Sequence, residues 1–112
     1  MDLPALTEKA LLLRERFAAA AAAKGHRGWT REEVMHGFVG DVGDLMKLTM
    51  AKSGLREIAD ADTKLGHELA DCLWSVLVLA KLYEVNVEKE FLRMIEETSA
   101  KLAKTPGASQ HL

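Results

Sequence analysis

Apolar residues recur along this chain at helical spacing, and alternating or β-branched runs are scarce, so the pattern predicts an all-α protein. The only prolines are Pro4 and Pro106, near the two ends. A first helix is expected from Pro4, a favourable first-turn residue, to Lys24, with Gly25 and Gly28 ending it. Thr30 and Glu33 form a capping-box pattern that opens a second helix, expected to run to about Ser53 and stop at Gly54. A polar linker, Leu55–Asp62, leads to a third helix over Asp62–Glu84. Asn86 is placed to cap a fourth over Val87–Lys104. Short connections between four helices point to a bundle. Residues 1–104 read as one domain, and 105–112 as a tail that frays.

Gly37, Gly40 and Gly43 lie inside the second helix, where each costs ~1 kcal/mol against alanine. Close packing against another helix is the expected reason. The run Ala18–Ala23 reads as helix rather than linker, with a close-packing surface as its functional reading.

Composition narrows the function classes. Hydrophobic residues make up 48 % of the 112, as in a globular chain. Fifteen Lys and Arg against seventeen Asp and Glu leave a net charge of −2, which gives no phosphate-neutralising surface for nucleic acid. The single cysteine, Cys72, excludes an intramolecular disulfide and a multi-cysteine zinc site, and a cytoplasmic setting is expected. The longest apolar stretch, Leu69–Ala80, is broken by Asp71 and Ser75. It falls short of the ~20 residues that cross a bilayer, so no membrane partner is expected.

Two carboxylate pairs carry the candidate chemistry. Asp41 and Asp44 share a face of the second helix, and Glu68 and Asp71 share a face of the third, each at i, i+3. Asp41 falls between Val34, Phe38, Leu45 and Leu48. Lys64, Glu68, Asp71 and Ser75 form a narrow polar sector on a helix that is otherwise apolar nearly all round, the pattern of a buried helix. A carboxylate in such a setting must be paired, protonated or bound to a cation. If the two pairs face one space, magnesium, or manganese in its place, suits a set of hard oxygens. The alternative is that each pair solvates the edge of its own helix.

Other patterns are weaker. His67-Glu68-Leu69-Ala70-Asp71 is a zincin helix with its second histidine replaced by aspartate. Glu33-Val34-Met35-His36 has di-iron spacing on one helix, where two are required. Cys72 reads as a structural thiol.

Gly40-Asp41-Val42-Gly43-Asp44-Leu45 resembles the first acidic motif of the MazG-like nucleoside triphosphate pyrophosphohydrolases. His67-Glu68-Leu69-Ala70-Asp71-Cys72-Leu73-Trp74 resembles their second, and the resemblance extends over about Trp29–Lys101. It implies a MazG-type helical bundle working as a homo-oligomer that cleaves a nucleoside triphosphate into a monophosphate and pyrophosphate. Asp41, Asp44, Glu68 and Asp71 would be the magnesium ligands. The chain departs from the family pattern at Gly40, where relatives carry a glutamate, and in having aspartates at 41 and 44. Asp41 is then the candidate for the base that activates water.

Trp29, Trp74 and Lys47 complete the candidate set. Either indole could stack a nucleobase or pack in a core or interface. Lys47 could approach phosphates or lie solvated. The rival reading is a noncatalytic helical protein of the same family that binds nucleotide or a protein partner. A homodimer or homotetramer is expected on physical grounds too, because two helices apolar nearly all round offer more apolar surface than one short bundle covers.

Overall fold

A computed structural model describes residues 1–104. The expected tail, 105–112, lies outside the described residues. Four helices follow in order: α1 (Leu3–Ala23), α2 (Arg31–Lys52), α3 (Ala61–Leu82) and α4 (Val87–Ala103). No described residue lies in a strand.

The local signals act where the sequence places them. Asp2 caps α1 by accepting from the Ala5 amide at 3.0 Å. Thr30 and Glu33 close the capping box in both directions, at 3.2 and 3.0 Å, and Arg27 pairs with the same Glu33 carboxylate. Asn86 caps α4 by accepting from the Lys89 amide at 3.1 Å. Gly25 and Gly54 take φ of +78°, the left-handed turn that ends α1 and α2 and that a side chain would strain. α3 begins at Ala61, with Asp60 as its cap residue, and Asp62 in its first turn pairs with Lys52 at the end of α2.

α2 and α3 form an antiparallel hairpin: Lys52 meets Asp62 at one end, and Arg31 lies over the Tyr83 ring, 4.5 Å from its centroid, at the other. α1 lies across the second half of α3. The crossing is held by the Trp74 indole, whose Nε1 donates to the Ala10 carbonyl at 3.0 Å, and by Phe17, which meets the Trp74 ring edge-on at 5.8 Å. Ala10 is buried there with Val34, Leu77 and Val78. Burying valines such as Val34 and Val78 contributes ~1.5–3 kcal/mol each.

Three expectations change. The core draws its buried residues from α1, α2 and α3, and α4 has none among its residues. α3 is not enclosed: Ser75, Leu77 and Val78 are buried, but Leu69, Leu73 and Val76 are exposed. The glycines of α2 do not mark a helix crossing. A Cβ on Gly37 would meet the Trp29 ring at 2.6 Å, whereas Gly40 and Gly43 face open space.

Candidate metal centre

The acids meet where α2 and α3 face each other. Asp41 and Leu48 lie two turns apart on the inner line of α2, and Asp44 lies one turn beyond Asp41. Because α3 runs the opposite way, Glu68 comes level with this stretch. Carboxylate oxygens of Asp41, Asp44 and Glu68 all lie within 4.8 Å of one another, a spacing that one cation can bridge. Asp44 is exposed, while Asp41 and Glu68 are half-buried.

Glu68 is the most constrained of the three. Its Oε2 is fully enclosed and has no hydrogen-bond partner in the protein. An enclosed carboxylate oxygen without a donor is costly, and a bound cation or proton relieves it. The electrostatics agree. Burial, then the charges of Asp71, Asp41 and Asp44, push the Glu68 carboxyl above its ordinary value, and nearby His67 opposes them. Asp41 is raised in the same way, by burial first and then by Asp71 and Asp44, again against His67. The Cys72 thiol is raised by burial and by Asp41, Glu68 and Asp71, which keeps it protonated and unreactive.

Asp71 stands differently from the other three. It contributes to the field felt by Asp41 and Glu68, yet its Oδ2 lies 3.3 Å from the His67 Nε2 one turn away on α3. The three-oxygen cluster forms without it. His67 therefore sits beside the acids, one turn from Asp71 on the same helix.

Beside the acids opens a cleft of about 420 Å³, lined on one side by Asp44, Lys47 and Leu48 and on the other by Lys64, His67 and Glu68. Lys47 and Lys64 thus share the opening with two of the three acids. The tryptophans do not. Trp29 and Trp74 line a separate cavity of about 530 Å³ with Phe17, beside Arg14, Lys24 and Arg27. Arg14 donates to the Trp29 carbonyl at 3.0 Å and ties the loop to α1. The share of this cavity that comes from α1 was not legible in the sequence, because no local pattern fixes where α1 crosses α3.

Comparison with known protein families, curated proteins and solved structures finds no match.

Proposed function

We propose that the chain is a magnesium-dependent nucleoside triphosphate pyrophosphohydrolase of the MazG-like kind. One observation carries this reading: three carboxylates from two helices converge within 4.8 Å, and one of them holds an enclosed, unpartnered oxygen. The donor set is all oxygen, and Asp41 and Glu68 within it are raised in proton affinity by burial first and then by neighbouring carboxylates, which fits a hard divalent cation. Asp41, Asp44 and Glu68 would hold the ion, with Asp71 adding charge beside them. Such an ion supplies charge neutralisation for a triphosphate and a lower pKa for water.

The remaining chemistry belongs to the chain's own residues. Asp41 takes a proton from the attacking water, and its raised proton affinity suits that role. The water oxygen bonds to the α-phosphorus as the bond from that phosphorus to the bridging α–β oxygen breaks. Pyrophosphate leaves with the electron pair. Lys47 and Lys64, at the same opening, meet the phosphate oxygens. Trp29 and Trp74 line the cavity that would take the base. The test is pyrophosphate release from a panel of nucleoside triphosphates with magnesium, with and without chelator. No release from any triphosphate overturns the reading.

One observation favours the noncatalytic alternative. Open space surrounds Gly40, the position where relatives carry an acid, and no described carboxylate takes its place in the cluster. Nucleotide binding seen by calorimetry, with no pyrophosphate release in that assay, would then be the result. We also propose that the chain works as a homodimer or homotetramer. Its radius of gyration is 17.8 Å, against about 13 Å for a compact chain of this length.

A further inference from the structure

The cavity beside α1 holds a charge that the acidic cluster does not use. Its apolar lining comes from Phe17 and Ala21 of α1, Val34 of α2, Trp74 of α3 and Trp29 in the loop before α2. Its volume of about 530 Å³ falls within the ~300–1,000 Å³ that small-molecule sites occupy. It shares no lining residue with the cleft beside Asp44 and Glu68. The charged residues around it are Arg14, Lys24 and Arg27, and no described carboxylate lines it. In a chain of net charge −2, that excess of cations is local to this site.

The cations differ in what already meets them. Arg27 is neutralised, because it pairs with Glu33. Arg14 and Lys24 form no ion pair among the described residues. Arg14 is half-buried, and a charge taken partly out of water without a counter-charge is costly. One N–H of Arg14 donates to the Trp29 carbonyl, which leaves the rest of the guanidinium fork for a ligand. Lys24 lies further along α1, at its C-cap. The aromatic lining is open as well: Phe17 is 56 % and Trp29 59 % exposed. The Trp74 N–H is spent on the Ala10 carbonyl, so Trp74 offers a ligand ring surface alone. Open rings beside an unmatched guanidinium complement a flat ring that carries a negative group.

We propose that this cavity binds a small aromatic anion, a flat ring bearing a carboxylate or a phosphate, with the ring against Phe17, Trp29 and Trp74 and the anion on Arg14 and Lys24. Either anion can take two parallel N–H donors from a guanidinium, which fixes the ring's direction as well as matching its charge. The ring covers the open faces of Phe17 and Trp29 and extends the edge-on contact that Phe17 and Trp74 already make. A neutral ring in the same place would leave Arg14 unmatched, whereas a ring with its own charge does not. The inference goes beyond the hydrolase reading, because the site needs neither metal nor triphosphate, and it stands or falls separately from that reading.

Calorimetry of the full chain in chelator tests it, with 2-naphthoate, its neutral analogue 2-naphthamide, octanoate and adenosine monophosphate as probes. The chain's two tryptophans both line the cavity, so their indole N–H resonances in a nitrogen-labelled sample locate the binding. Naphthoate is expected to bind about tenfold or more tightly than naphthamide and to shift both indole signals. Arg14→Gln, which keeps a donor for the Trp29 carbonyl, should weaken naphthoate about tenfold and leave naphthamide unchanged. Lys24→Gln, at an exposed position, should weaken it in the same sense, and it gives the result if Arg14→Gln loses helicity. Trp29→Ala should weaken both naphthalene probes. Adenosine monophosphate binding with the same loss in Arg14→Gln names a phosphate as the anion, and naphthoate binding alone names a carboxylate. Equal affinity for naphthoate and naphthamide overturns the proposal, as does octanoate matching naphthoate. So does naphthoate binding that survives both Arg14→Gln and Lys24→Gln, or no binding of either aromatic anion at millimolar concentration.

Discussion

His67 and Asp71 stand one turn apart on α3, with Nε2 3.3 Å from Oδ2. The pair draws Asp71 towards a side-chain partner and sets a histidine whose charge opposes the repulsion at Asp41 and Glu68. Replacing His67 with Ala removes a neighbour that, when charged, repels a doubly charged ion more than it repels a proton. Titration of magnesium into wild type and His67→Ala at several pH values checks this. The variant is expected to bind the ion at least as tightly as the wild type, with the largest difference at the acid end.

Glu68 separates the cation from the fold. Glu68→Gln keeps the side chain's shape and removes a charge from the most crowded position. Without divalent ions the variant should be at least as stable as the wild type, because the repulsion is gone. Added magnesium or manganese should raise the wild-type melting temperature by several degrees, as binding to the native state alone requires, and leave Glu68→Gln unmoved. Differential scanning calorimetry with chelator and with ion gives both readings. An equal shift in the two proteins would show that the ion binds elsewhere.

The same acids set a pH dependence with a definite sign. Asp41 and Glu68 have folded pKa values above their ordinary 3.8 and 4.5. The native state therefore binds more protons than the unfolded state above those values, and stability falls as pH rises through the raised range. In chelator, the melting temperature should fall as pH rises from the ordinary carboxylate range towards neutrality, and Asp41→Asn should flatten the slope. Glu33 acts in the opposite sense but elsewhere. Arg27 and the Thr30 amide lower it to about 2, so its contribution is present at neutral pH and is lost only as pH falls below its ordinary 4.5.

What the sequence made legible follows from how local each signal is. The Thr30–Glu33 box, the Asn86 cap and the glycines at 25 and 54 act within a few residues, and the helices start and stop beside them. The convergence of Asp41, Asp44 and Glu68 was legible for a related reason: spacing on two helices fixes which faces the acids share, and apolar neighbours turn those faces inward. Tertiary placement was not legible. The apolar girth of α3 read as burial, but burial needs neighbours, and one short chain supplies α1 on a single side only. Trp74 lies a turn from Asp71, yet its indole turns to the Ala10 carbonyl, a partner 64 residues away.

That tether gives a stability prediction that separates packing from hydrogen bonding. Trp74→Phe keeps an aromatic ring against Phe17 and removes the indole donor, while the Ala10 carbonyl keeps its amide partner within α1. It is expected to cost ~0.5–1.5 kcal/mol. Trp74→Ala also empties the space at the α1–α3 crossing and should cost ~3–5 kcal/mol. Urea unfolding at fixed protein concentration measures both.

The glycines of α2 offer a matched pair within one helix. Gly40 faces open space, so Gly40→Ala should stabilise the chain by ~1 kcal/mol through helix propensity alone. Gly37 has the same propensity to gain, but its new Cβ would stand 2.6 Å from the Trp29 ring. Either that ring moves or the helix does. Trp29 is 59 % exposed and sits in the loop before α2, so the ring is the part that yields. Gly37→Ala should therefore displace the indole from the cavity it shares with Trp74, with a shift in tryptophan emission and a net stability change smaller than that of Gly40→Ala. Equal stabilisation by both substitutions, with no change in emission, would mean that Trp29 does not rest on Gly37 in solution.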